Sequence, residues 1–106
     1  MTSNSYPVGQ CWRFHAGPMT IEHEIRSRTS IHARHVQGPL VGQEELLTVT
    51  ILPMRDALFV VSWQEADSST VVHVEDFESR TFVSCVTSVD AKFLQFHGSM
   101  IRVPRG

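Results

Sequence analysis

The segment from residue 58 to residue 77 constrains the fold of this chain more than any other. Residues 58–65 are rich in β-branched and aromatic side chains and end on a carboxylate, Glu65. Residues 66–69 are short and polar, and residues 70–77 resume the β-rich composition. This order predicts two strands joined by a tight turn. Because apolar side chains occupy both parities of these strands, we expect both faces of the hairpin to be covered.

Similar patterns divide the rest of the chain into strands and turns. Glycine and proline predict a turn at residues 17–18, and residues 37–42 form a loop that contains two glycines and a proline. Residues 19–26 alternate apolar and polar side chains with a period of two, which is typical of a half-buried strand. The predicted strands are residues 9–15, 19–26, 29–36, 43–52, 58–65, 70–77, 80–88 and 92–103.

These eight strands and their short connections predict an all-β fold in which neighbouring strands pair antiparallel. A sheet of this size avoids exposed edges best by closing on itself. We therefore predict a small eight-stranded antiparallel up-and-down β-barrel over residues 9–106, preceded by a flexible lead at residues 1–8. The interior of such a barrel is nearly filled by side chains or holds one small ligand. The alternative architecture is a two-sheet sandwich.

Composition excludes several classes of protein. A chain of 106 residues is expected to form one domain. Its net charge of −2 argues against a nucleic-acid partner. No run approaches the roughly 18 apolar residues of a membrane span, and the N-terminus lacks the pattern of a signal peptide, which predicts a cytoplasmic protein. In that compartment Cys11 and Cys85 are expected to be buried thiols.

Three short motifs resemble the calycin group of barrel proteins: GQCW at residues 9–12, SIHAR at 30–34 and VSWQE at 61–65. Within that group the chain is most similar to the MoaF-like proteins and, less closely, to the phenolic acid decarboxylases. The resemblance extends over about residues 9–102 and implies a lipocalin-like barrel. In decarboxylases of this type an arginine and a glutamate face each other in the barrel, and the resemblance places Arg34 and Glu65 there. The two substrate-binding tyrosines of those enzymes have no counterpart, because residues 12–16 read WRFHA.

Arg34 and Glu65 also suggest a chemistry of their own. Burial in an apolar barrel would raise the pKa of Glu65 and allow it to donate and accept protons. A guanidinium such as that of Arg34 can hold a substrate carboxylate through two hydrogen bonds. The alternatives are a plain ion pair or two solvated side chains. The candidate catalytic residues are thus Glu65 and Arg34, and the candidate ligand-binding residues are Trp63, His32, His15, Phe14 and His73.

Six histidines raise the question of a metal. His23, His73 and His97 lie on different predicted strands and can converge inside a barrel. However, the chain has no His-x-His or His-Glu-x-x-His spacing, so the sequence predicts neither a metal site nor a cofactor.

Three functions remain. The first is a binding protein that holds a small carboxylated or aromatic molecule in the barrel. The second is a lyase or isomerase in which Glu65 acts as general acid and base and Arg34 holds the anion, and the third is an interaction protein with a filled barrel. Whether the chain is an enzyme stays open.

Apolar residues of both parities at 58–63 and 71–74 also predict an outer apolar patch and a homodimer.

Overall fold

The computed structural model describes residues 5–104, and every regular element in this range is a β-strand. No helix among these residues is long and apolar enough to cross a membrane. The strands are β1 (Cys11–Ala16), β2 (Met19–Ile25), β3 (Ser30–Gln37), β4 (Glu44–Arg55), β5 (Leu58–Gln64), β6 (Thr70–Asp76), β7 (Thr81–Thr87) and β8 (Phe93–Val103).

The eight strands form a closed barrel in which each strand pairs antiparallel with the next. The barrel closes where β8 pairs with β1, from Cys11 opposite Val103 to His15 opposite Ser99. This topology confirms the predicted up-and-down barrel over the alternative sandwich. Closure leaves no unpaired sheet edge, and it divides the side chains of every strand into an inner and an outer set.

The predicted hairpin forms from β5 and β6, with Leu58 opposite Asp76 and Gln64 opposite Thr70. In its turn, the Glu65 amide donates a hydrogen bond to the Ser69 carbonyl at 2.7 Å. The inward side chains of β5 are fully or almost fully buried, and they are Phe59, Val61 and Trp63. Alternation along β5 thus places Trp63 inside the barrel, and Glu65 follows it at the end of the strand.

Aromatic side chains close one end of the barrel. Tyr6 packs edge-on against Phe59, with 5.2 Å between ring centroids, and against Phe77 at 5.7 Å. Trp12 packs against Phe77 in the same way at 4.8 Å. The sequence placed Tyr6 in a flexible lead, but the residue is only 4% exposed, so this part of the lead belongs to the core. Residues 1–4 of the predicted lead lie outside the described residues.

An apolar row crosses the outer face of the barrel from β4 to β7. Leu52 pairs with Val60, Val60 with Val74, and Val74 with Val83. Leu52 and Val74 are exposed. The outer apolar patch predicted from the sequence is therefore present, while the homodimer inferred from it stays a prediction.

Gly98 offers a test of barrel closure. A Cβ atom added at Gly98 would lie 1.7 Å from the carbonyl oxygen of His15 on β1. We expect Gly98→Ala to push the two strands apart and to lower the free energy of unfolding by about 3 kcal/mol, the upper part of the range for overpacking. Urea unfolding followed by Trp fluorescence measures this change. Ser99→Ala, at the next, exposed position, is the control, and equal unfolding midpoints for the two variants would contradict the close approach.

Candidate functional site

The end of the barrel opposite Tyr6 opens into a cavity of about 400 Å³, which we call the barrel cavity. Its wall is largely apolar and includes the aromatic rings of Phe14, Trp63 and Phe82. Its buried polar side chains are His23, His73 and Ser84, and further polar residues lie around the mouth. A cavity of this size and lining is typical of a site for a small organic molecule.

Strand alternation brings these side chains together from distant parts of the chain. Phe14 on β1 packs against His23 on β2, with 4.7 Å between ring centroids, and against Phe82 on β7 at 5.0 Å. Trp63 on β5 packs against His73 on β6 at 4.8 Å. Each of these residues is less than 9% exposed, so their mutual packing fixes the shape of the cavity.

A hydrogen-bonded chain of polar groups links the cavity to the closed end. The Tyr6 hydroxyl donates to Glu75 Oε1 at 2.5 Å, and Glu75 Oε2 lies 2.8 Å from His73 Nδ1. Glu75 is completely buried. The ring of His23 stacks parallel to that of His73, with centroids 5.7 Å apart and planes 6° from parallel. We call His23, His73 and Glu75 the His–Glu cluster.

Two members of this region have strongly shifted pKa values. Burial lowers the pKa of His23 well below its usual value, and the neighbouring His73 and His35 lower it further, so His23 is neutral at pH 7. Burial raises the pKa of Tyr6 well above its usual value, and the charge of Glu75 and the hydrogen bond to it act in the same direction. Tyr6 therefore keeps its proton and donates it to Glu75.

Carboxylates surround the mouth of the cavity: Glu44, Glu45, Glu65 and Asp67. Glu65 Oε2 accepts a hydrogen bond from Trp63 Nε1 at 3.2 Å. Burial raises the pKa of Glu65, and the charges of Glu45 and Asp67 add to the rise, while the Trp63 hydrogen bond and His35 oppose it. This rise in the pKa of Glu65 agrees with the direction expected from the sequence.

Arg34 does not share this cavity, so the prediction that Arg34 and Glu65 line one pocket is wrong. The inward side chains of β3 are Ile31 and Ala33, and Arg34 therefore points outward. Its Nη2 donates to Glu22 Oε1 at 3.1 Å on the outer surface, where Arg13 Nε donates to Glu22 Oε2 at 2.7 Å. Burial alone would raise the pKa of Glu22, but the hydrogen bonds and charges of the two arginines outweigh it and lower the pKa.

Two predicted ligand-binding histidines also lie outside the cavity. His32 shares the outward face with Arg34, and its Nε2 lies 2.9 Å from Glu44 Oε1. His15 points outward from β1, with its Nδ1 3.0 Å from the Thr20 hydroxyl. Of the seven residues proposed from the sequence, the structure brings four to the cavity and leaves three outside. The four are Phe14, Trp63, Glu65 and His73.

Three polar side chains of this site were not predicted from the sequence to be site residues. His23 was predicted only to be one of three histidines that can converge, Tyr6 to belong to the lead, and Glu75 to lie on the sixth strand. A usable pattern was present on β6, where Val71, His73 and Glu75 share one parity and all three are buried. Nothing comparable in the sequence around Tyr6 indicates that its ring folds back under the barrel.

Eight antiparallel strands closed around one internal cavity define this chain as a small up-and-down barrel protein. The chain belongs to the MoaF-like family, whose model matches residues 8–101. This result confirms the resemblance seen in the sequence and accounts for nearly the whole barrel.

Several solved structures are similar to this barrel. A crystal structure described as a "putative beta-lactamase from Burkholderia vietnamiensis" is similar to this chain with a TM-score of 0.85 and 26% sequence identity. The similarity covers 92% of this chain and 97% of that one, so the two barrels correspond almost from end to end. No curated protein matches this chain.

The raised pKa of Glu65 predicts a pH-dependent effect of Glu65→Gln. The folded state binds the Glu65 proton more tightly than the unfolded state does. The free energy of unfolding of the wild type therefore decreases as the pH rises through the folded pKa of Glu65. We expect the variant to be more stable than the wild type by about 0.5 kcal/mol at pH 7, since solvent screens this half-exposed group. The gain should vanish below pH ~4, where both forms are neutral.

Thermal unfolding of both proteins between pH 3 and pH 8 measures this difference. Glu78→Gln, in the exposed turn after β6, is the matched control. A gain in stability that is the same at every pH, or that appears equally in the control, would contradict a raised pKa of Glu65 in the folded protein.

Proposed function

We propose that this protein binds a small aromatic molecule in the barrel cavity. The observation that carries the proposal is the cavity itself, with about 400 Å³ of space and a wall that includes Phe14, Trp63 and Phe82. Such rings offer large apolar contact areas and pack favourably on another ring. An open cavity also favours a binding protein over an interaction protein with a filled barrel.

The charges around the mouth favour a neutral or cationic ligand. Among the described residues that line the cavity, four are carboxylic acids and none is a lysine or an arginine. The carboxylated ligand expected from the sequence depended on Arg34, which lies on the outer surface in contact with Glu22. An anion entering the cavity would meet like charges, whereas an ammonium group would be attracted by them and by the face of Trp63.

The same geometry bears on the enzymatic alternatives. Glu65 keeps its place at the mouth and its raised pKa, but a lyase or isomerase of the predicted type also needs the anion clamp that Arg34 does not provide. The Ser-x-x-Lys motif of serine β-lactamases is absent, because Lys92 is the only lysine and Val89 stands three residues before it. We therefore propose binding and assign no reaction.

The ligand preference is tested with three molecules that share one ring: benzylamine, benzyl alcohol and benzoate. Trp63 lies in the cavity wall, so ligands that enter the cavity should change the Trp fluorescence. We expect the amine and the alcohol to bind at least tenfold more tightly than benzoate at low salt. Tighter binding of benzoate would contradict the electrostatic part of the proposal, and no binding by any of a wider set of aromatic molecules would contradict the whole.

Two neighbouring residues of β3 give a matched pair of variants for this assay. Ala33 lines the cavity, so Ala33→Phe should fill it and reduce the affinity more than tenfold. Arg34→Ala, one residue further along and on the outer surface, should leave the affinity unchanged. A loss of binding in Arg34→Ala with normal binding in Ala33→Phe would move the site to the outer face.

A further inference from the structure

The side chains of the His–Glu cluster are of the types that bind metal ions, and the proposed binding of an aromatic molecule does not use them in this way. His23, His73 and Glu75 each offer a ligand atom, and these atoms all lie within 4.8 Å of one another. All three residues are buried, and they are held on two strands, β2 and β6, of a closed barrel. We propose that this cluster binds a divalent transition-metal ion, of the class of Zn²⁺ or Fe²⁺, at the inner end of the barrel cavity.

The types of ligand decide which class of ion fits. Two imidazoles and one carboxylate are common ligands of catalytic zinc and of non-haem Fe²⁺, whereas Mg²⁺ and Ca²⁺ prefer oxygen ligands. Zinc binds nitrogen and oxygen at about 2.0–2.2 Å, which places tetrahedral ligand atoms roughly 3.4 Å apart. The observed ligand atoms lie within 4.8 Å of one another, so no pair has to approach by more than about 1.4 Å to reach that spacing.

An unsatisfied atom supports the proposal independently of the spacing. His23 Nδ1 is buried and is the one buried side-chain nitrogen or oxygen among residues 5–104 that has no hydrogen-bond partner. Buried polar groups in folded proteins are nearly always paired. Coordination of an ion through Nδ1 would give this atom the partner that it lacks.

The charge of the interior also favours a cation at this place. Glu75 is fully buried, and its described partners are the neutral hydroxyl of Tyr6 and the ring of His73. A buried carboxylate is stable when it is paired with a positive charge or bound to a metal. Tyr6, which holds Oε1, would then act as an outer-sphere partner that orients the carboxylate.

The site has an open side. His23 and His73 both line the barrel cavity, so positions around the ion that the protein does not fill would face that space. Three protein ligands with a free position are typical of metal sites that bind a further small molecule, while structural zinc sites have four protein ligands. The competing arrangement keeps the contact between His73 Nδ1 and Glu75 Oε2 and holds no metal, and metal titration distinguishes the two.

The full-length protein is stripped with EDTA, returned to metal-free buffer at pH 7.5 and titrated with ZnCl₂ by calorimetry. We expect one ion to bind per chain with micromolar or tighter affinity. His23→Phe keeps a ring in the same space and should weaken binding at least 100-fold. Glu75→Gln keeps the shape and an acceptor for the Tyr6 hydroxyl but removes the negative charge, and it should weaken binding at least tenfold.

His97→Phe is the matched control, because His97 is exposed on β8 and lies outside the cluster. We expect it to bind zinc like the wild type. Absence of stoichiometric binding would overturn the proposal and leave the hydrogen bond between His73 and Glu75. Binding that survives both cluster variants, or that is lost instead in His32→Phe on the outer surface, would overturn it as well.

A spectroscopic measurement on the wild type covers the case in which a cluster variant fails to fold. Co²⁺ at a site with three protein ligands should give the intense visible absorption of a four- or five-coordinate ion, and zinc should displace it. A weak spectrum like that of hydrated Co²⁺ would count against the site. The aromatic ligand assay is run separately in EDTA, so that failure of metal binding and failure of the proposed binding function can be told apart.

Discussion

The interior of this protein depends on the pairing of β8 with β1. That contact converts a row of hairpins into a closed surface, and closure fixes which side chains of each strand point inward. The close approach at Gly98 shows how tightly the two strands meet. Once the ring is closed, the strand alternation alone brings Phe14, His23 and Trp63 into contact, although they lie on three different strands.

The closed barrel separates two polar regions that the sequence does not distinguish. Outside, Arg13, Glu22 and Arg34 form ion pairs that are partly open to solvent and add little stability. Inside, Tyr6, Glu75 and His73 are shielded from water, where each unpaired polar group would be costly. A glutamate therefore has a different role on each side of the barrel wall: Glu22 pairs with arginines at the surface, and Glu75 is hydrogen-bonded in the interior.

The fold was predictable and the site only partly so, for the same physical reason. Period-two patterns and turn residues identify strands locally, and the eight predicted strands match the eight observed ones to within a few residues. Which parity faces inward is a property of the closed barrel. On β5 the sequence shows it, since Phe59, Val61 and Trp63 share one face, and Glu65 follows that parity to the mouth of the cavity.

On β3 the prediction of an inward Arg34 is wrong, because Ile31 and Ala33 are the apolar pair and mark the inward side. Arg34 follows Ala33 directly, so its side chain lies on the outer face, whereas the resemblance to enzymes with an inward arginine implies a position opposite Glu65. The burial of Tyr6 was not predictable from the sequence, because its partner Glu75 lies 69 residues away and no local pattern links the two.

The Tyr6 side chain helps to close one end of the barrel. Its ring covers Phe59 and Phe77 at one end, and its hydroxyl reaches Glu75 on the inner wall. A single residue near the start of the chain thus connects the aromatic cluster at the closed end to the carboxylate of the His–Glu cluster. Loss of its ring would uncover Phe59 and Phe77 and would leave Glu75 Oε1 without its described donor.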